Sequence, residues 1–355
     1  MEIRIAAETD LPVICRLFEK NDAVDENLPR EDFLKVHHSQ FFRNSPGAHY
    51  QLVGFDQDNL VCHTGMVPFY YHVKKQQLVG GLGAKLVVDE SQRGSFAFFS
   101  LKRTYLRGYQ KKAGIDFTYG LINKPKVLDA HLKVGYQKIG DIRVYARPLK
   151  ASVMARAMIS NKILRILAAP LLVVVDGILR FSWTRTPKRT VETIEEFDER
   201  FIPLLDDFAG KFEISAVRNL QTLRWRFRDL PHRNYRILAA KEGDRIRGFA
   251  VMRPMAMKEF RSLALTDLVC DPEDKKTMRA LLKAVHRAAL EEGADLISTV
   301  LNPHSPFLKD MKRFGYIKTP EAFTLVTNTP RKSEISFDQS DYEKWHISWF
   351  DHDVV

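Results

Sequence analysis

Residues 84–106 read AKLVVDESQRGSFAFFSLKRTYL. The stretch opens as an apolar run with Val87 and Val88 side by side, the pattern of a buried strand. It turns through Asp89 to Ser95 and restarts with Phe98, Leu101, Tyr105 and Leu106 at i, i+3, i+7 and i+8. That spacing predicts one face of an amphipathic helix. A strand feeding a helix through a turn that contains Gly94 leaves backbone N–H groups pointing out of the helix start. Those donors and the positive end of the helix dipole favour an anion such as a phosphate. The same spacing also fits an ordinary strand–turn–helix in which Gly94 only eases the turn.

The chain around this stretch has 355 residues, 45% hydrophobic and 28% charged, the composition of a soluble protein with room for two ordinary domains. Cys15, Cys62 and Cys270 lie far apart, with no CxxC or Cys/His spacing. This argues against a disulfide framework or a structural zinc and fits a reducing compartment. The opening MEIRIAAETDLP carries acids where a secretory signal carries bases, so a cytoplasmic location is expected. Charge is uneven. Residues 101–190 hold 19 Lys and Arg against four Asp and no Glu, a net +15, so the rest of the +11 chain sums to −4. An anionic partner near that segment is implied: a phosphorylated cofactor, an acidic membrane surface or a nucleic acid. A solvated basic face accounts for the same charge.

Alternation, capping residues and turn residues predict an opening strand over 1–7 and helices over 11–20 and 31–42. Strands follow over 50–56, 60–73 and 77–88, with Pro68 marking a break or an edge position. A helix over 94–113, a strand over 116–122, a helix over 126–134 and a strand over 136–147 complete the first half. This order resembles the GNAT acyltransferase superfamily over roughly residues 2–148. The resemblance is carried by Ile3-Arg4-Ile5-Ala6 with Asp10, the strand LVVDES, Gln92-Arg93-Gly94, Asn123, and Leu132-Lys133 before Gly135-Tyr136.

The second half repeats the first. GIDFTYGLIN followed by VGYQKI matches GADLISTVLN followed by FGYIKT in order and spacing, a weak internal repeat of one fold. The resemblance therefore implies an α/β protein of α+β mixed-sheet type with two tandem GNAT-like domains. Residues 1–150 form the N-terminal domain, 151–190 a basic apolar linker, 191–330 a degenerate second copy, and 331–355 a tail packing on that copy. Residues 163–181 of the linker read either as an inter-domain connector or as an interfacial helix pair in peripheral contact with a membrane.

The implied reaction is transfer of an acyl group from acetyl-CoA or another acyl-CoA to a small-molecule or peptide amine. Backbone around Val87, Val88, Gln92, Arg93, Gly94, Ser95, Phe96, Ala97 and Asn123 would bind the cofactor, although Phe96 and Phe98 occupy places where the family has glycines. Asp89 or Glu90 would take the amine proton, with helix capping as the competing role. His131, four residues before Gly135, stands where the family often has a tyrosine acid. In the second half, Asp271, Glu273 and Asp274 would repel a pyrophosphate, and Met311 replaces the acid. No metal is expected. In LRWRFRDLP, the stripe Leu223, Phe227, Leu230 faces a core rather than a nucleic acid. Two other readings stay open: a non-catalytic GNAT-like scaffold, and a Fem-type tRNA-dependent aminoacyl transferase that would use the basic segment.

Overall fold

The computed structural model of the chain describes residues 1–23, 30–44, 46, 50–93, 96–150, 153, 189–257, 259–330 and 333–352. The apolar stretch 163–181 and both Gly94 and Ser95 lie outside them. Among the described residues no helix is long and apolar enough to cross a membrane. The chain divides into two compact units. The first comprises Met1–Asp141, Glu213–Arg233 and Phe323–Lys344, and the second Ile142–Phe212, Asn234–Ala322 and Trp345–Val355.

The first unit is built on strands β1 (Glu2–Ile5), β2 (Tyr50–Asp56), β3 (Asn59–Val73), β4 (Gln76–Val88) and β5 (Phe117–Ile122), in that spatial order. All neighbours are antiparallel except β4 and β5. Alternation along the strands sorts side chains to two faces. Val53 and Val87 pack with Ile14 and Phe18 of α1 (Leu11–Lys20) and Phe33 of α2 (Arg30–Phe41). Their neighbours Leu52 and Cys62, with Met66, pack instead with Ala97 and Leu101 of α3 (Ala97–Thr104) and with Tyr105. The helix expected over 94–113 starts at Ala97 and widens into a π-helical turn at Tyr105–Tyr109 before ending as α4 (Gln110–Lys112).

Helix α5 (Pro125–Lys133) follows β5, and β6 spans Gln137–Pro148. Pro68 breaks nothing. It pairs with Gly81 of β4, while on its other side β3 passes from β2, whose last partner is Met66, to Ile214–Ala216, whose first is Tyr71. A residue with no N–H is tolerated in that gap.

The second unit reuses the plan. It contains β7 (Thr190–Ile194), α6 (Ile202–Ala209), β9 (Arg236–Glu242), β10 (Arg245–Met257), β11 (Phe260–Cys270), α8 (Lys275–Glu291), β12 (Leu296–Leu301) and α9 (Leu308–Arg313). Between α6 and β9 the chain lends β8 (Ile214–Ala216) and α7 (Leu220–Arg224) to the first unit. Leu223, Phe227 and Leu230 are buried there, and the Trp225 indole N–H donates to Ser39 O. The sheet closings are traded. The part of β6 from Arg143 to Pro148 pairs with β12 in the second unit, whereas Thr324–Asn328 of β13 (Ile317–Asn328) pairs with β5 in the first. The sequence repeat has a structural counterpart in two equivalent aspartates. Asp116 accepts from Val79 N (2.7 Å) before β5, and Asp295 accepts from Arg261 N (3.0 Å) before β12.

Candidate functional site

Strands β4 and β5 pair in parallel only at Gly80–Phe117, Gly81–Thr118 and Leu82–Tyr119. Beyond that point β4 continues to Val88 and β5 to Ile122, with no pairing between them among the described residues. The parting has a local cause. The register of β3 against β4 shifts between His63 and Gly65, which leaves an extra residue on β4. Lys85 takes a positive φ of 52° there, and its carbonyl accepts a 2.6 Å hydrogen bond from His63 Nδ1. A bulge of this kind bends its strand and ends local pairing. His63 is fully buried, and desolvation pushes its pKa down to about 4, so the anchor of the bulge is a neutral imidazole.

Gly83 and Gly120 are where the next β4–β5 pair would fall. A Cβ at Gly83 would come no nearer than 3.5 Å to Tyr119 O, and one at Gly120 no nearer than 3.6 Å to Val326, both ordinary contacts. Neither residue has a positive φ. The fold therefore does not require glycine at these places, where it costs about 0.5–1 kcal/mol relative to alanine. Glycine in a strand marks a close approach of another group. The two form bare opposing edges at the vertex of the cleft.

The residues singled out in the sequence gather at the strand ends that flank this opening. Val87 is buried toward α1, and Val88 packs on the opposite face. The Asp89 carboxylate is buried. It accepts from Lys20 Nζ (2.7 Å), Ser91 Oγ (2.6 Å) and Ser91 N (3.0 Å). The Lys20 bond, and then Ser91, hold it well below the usual carboxylate range. Its lone pairs are committed to the turn, so its geometry is that of a cap.

Glu90 differs. Its side chain is exposed beside Arg93 (3.5 Å), while its backbone N–H donates to Asn21 Oδ1. Arg93 Nη2 donates to the same Asn21 oxygen. The Gln92 N–H donates to Asp89 O. Phe96 immediately precedes α3 and contributes no side-chain cap to it. The Phe96 ring is 81% exposed, and Ala97 behind it is buried. Asn123 is exposed just past the end of β5.

His131 lies on α5 between the rings of Phe98 (5.4 Å) and Tyr136 (5.0 Å). Its Nδ1–H donates to Val127 O (2.8 Å). Burial, and then the charge of Lys102, push its pKa down to about 3. At neutral pH it therefore offers an acceptor at Nε2 rather than a proton. Lys102 itself was not apparent as a site residue from the sequence, yet it sits four residues after Phe98 on the apolar face. A lysine at an apolar-face position is the signal that identifies it.

The second unit has the same parting, with its contents changed. Strands β11 and β12 pair only at Ser262–Leu296, Leu263–Ile297 and Ala264–Ser298. At the place of Gly120 stands Thr299, whose hydroxyl donates to Leu265 O (3.0 Å) across the opening. At the place of Asn123 stands Asn302, whose amide donates to Trp345 O (3.0 Å). Ser348 Oγ donates to Asp267 Oδ1 (2.9 Å). The start of α8 is already capped by Asp274, which accepts from Thr277 N and Oγ1 and pairs with Arg189. The second cleft is thus filled by its own side chains and by the C-terminal segment. Among the described residues of the chain, no three His, Cys, Asp or Glu side chains are placed to hold a metal.

No family model matches the sequence, and no curated protein matches it. Solved structures do. A GCN5-related N-acetyltransferase from Anabaena variabilis superposes with a TM-score of 0.64 at 10% identity, over 92% of this chain and 72% of that one. Another from Kribbella flavida gives 0.61 at 16% identity, over 92% and 70%. Saccharomyces cerevisiae N-myristoyltransferase with bound myristoyl-CoA and inhibitors gives 0.60 at 13% identity, over 92% and 80%. With the parted parallel strands in each unit, this likeness establishes that the chain has the GNAT fold in two successive copies.

Proposed function

We propose that the protein transfers an acyl group from an acyl-CoA, acetyl-CoA in the simplest case, to an amine, and that it does so in the first unit. The observation carrying this reading is the opening between β4 and β5, with bare glycine edges at its vertex and the start of α3 at its mouth. These features suit the parts of the cofactor. Where β4 runs on past Leu82 without pairing with β5 among the described residues, its edge would meet an extended arm containing amides. The turn that leads from Gln92 into α3 would hold the pyrophosphate at the helix start, and Asn123 lies on the opposite strand end. Bound there, acyl-CoA supplies a thioester carbonyl open to attack by an amine.

Glu90 is the better candidate to accept the amine proton, because its carboxylate is exposed and does not cap the turn, whereas Asp89 holds the turn itself. The likeness to a GCN5-related N-acetyltransferase and to N-myristoyltransferase with bound myristoyl-CoA supports the reaction class, and the acceptor remains a small-molecule or peptide amine. The cytoplasmic setting belongs to the same reading, as does the tandem order of copies expected over 1–150 and 191–330, although Glu213–Arg233 and Phe323–Lys344, with part of the expected tail, fall in the first unit. The scaffold alternative draws on Phe96, which stands where a phosphate-binding glycine would. Calorimetric titration with acetyl-CoA, followed by free-thiol release with a panel of amines, separates the two. Saturable heat and amine-dependent thiol release support the enzyme. No heat and no thermal shift support the scaffold.

A further inference from the structure

The first unit buries an amine that its fold does not need. The Lys102 side chain is 1% exposed. Among the described residues it makes no hydrogen bond or ion pair, and its Nζ lies 5.9 Å over the Tyr136 ring. A buried ammonium without a counter-ion costs several kcal/mol. Burial alone drives its pKa down to about 7.

The place of this amine is specific. The Tyr136 hydroxyl accepts from Thr118 Oγ1 (3.2 Å), and Thr118 belongs to the β4–β5 pair just before the last one. A Cβ at Gly83 would point toward Met66, which packs with Leu101 and Tyr105 of the helix that carries Lys102. Lys102 therefore lies on the face of the sheet onto which the bare vertex opens. The titratable groups around it are His131 from α5, Tyr136 at the foot of β6 and, more remotely, His63 from β3. Among the described residues none is a carboxylate.

The second copy provides an internal control. Counting back from the glycines that end the two helices, Gly114 and Gly293, position 102 corresponds to Leu281, or to Leu282 once the extra residue of the π-helical turn is allowed for. Both leucines are buried. The same fold thus accommodates an apolar side chain where the first copy keeps a lysine. Tyr136 and Tyr316 are buried in both copies, but His131 gives way to Met311. Both the lysine and the histidine are confined to the copy with the open cleft.

We infer that Lys102 is the proton donor to the departing thiolate, an assignment that rests on the acyl-transfer reading above. The acceptor nitrogen adds to the thioester carbonyl carbon, and the C–S bond breaks with its electron pair on sulfur. One N–H proton of the Lys102 ammonium passes to that sulfur, leaving a neutral amine. The proton shed by the acceptor nitrogen goes through its base to solvent, from which Lys102 is reprotonated. A donor that titrates near the working pH is well matched to this task.

The test compares Lys102→Met and Lys102→Gln with the wild type in thermal melting, acyl-CoA titration and thiol release against pH. Lys102→Met should melt above the wild type at pH 7, with the gain narrowing toward pH 10, and should bind acyl-CoA within about twofold. Its kcat should fall about 100-fold or more. The wild-type decline in kcat above about pH 7 should be absent from both variants. An active wild type alongside variants of unchanged kcat and pH profile overturns the assignment of Lys102 alone. A wild type that neither binds acyl-CoA nor releases thiol overturns the acyl-transfer reading, and the assignment falls with it.

Discussion

At the residue scale, neighbouring carboxylates and buried imidazoles are separated by their surroundings. Asp89 is enclosed by Lys20 and Ser91, whereas Glu90 is exposed one residue later. Removing a capping carboxylate costs about 1 kcal/mol. Asp89→Ala should therefore lower the melting temperature by about 2 °C. Glu90→Gln should leave melting unchanged and depress kcat for amine acylation, and equal kcat values for Glu90→Gln and wild type would remove Glu90 as base.

His63 and His131 have folded-state pKa values of about 4 and about 3, against 6.5 as the ordinary value. Between those limits the unfolded chain binds protons that the folded imidazoles refuse. Their contribution to stability is complete above pH 6.5 and is lost as pH falls toward 4, by about 3 kcal/mol for His63 alone. Denaturant midpoints measured from pH 7 to pH 4 should fall steeply, and a flat profile would contradict the buried neutral imidazoles. His131 was visible in the sequence through its distance from Gly135. Its tautomer was not, because that depends on Val127 O one helical turn earlier. Lys102 was overlooked because a lysine in an amphipathic helix is ordinarily counted as solvent-facing.

At the scale of elements, the cleft arises from two local devices: the bulge at Lys85 and the glycine pair. The strand–turn–helix was readable because Val87, Val88 and the stripe from Phe98 to Leu106 follow the two backbone periods. The parting was not readable, because it depends on cross-strand register between β3, β4 and β5. Gly120→Thr copies the second unit into the first. Threonine suits a strand, and the site accepts a Cβ, so the variant should melt at or above the wild-type temperature. Its hydroxyl should reach the β4 edge as Thr299 reaches Leu265, and its acyl-CoA affinity should fall at least tenfold. Thr299→Gly should leave the wild-type affinity in place.

At the scale of the whole molecule, two copies of one fold differ at the same opening. The repeat GIDFTYGLIN and GADLISTVLN announced the duplication, and it even contained the decisive difference, Gly120 against Thr299. That difference acquired meaning only once the strands were seen to part beside it. The exchange of closing strands was beyond reach, since β6 and β13 look alike in sequence wherever they pair. The account requires one cofactor site per chain, located in the first unit. Isothermal titration of an acyl-CoA into wild type and Gly120→Thr tests this most directly. One site per chain in the wild type, weakened at least tenfold in an equally stable Gly120→Thr variant, is the predicted result. No binding, two equivalent sites, or unchanged affinity in the variant would contradict it.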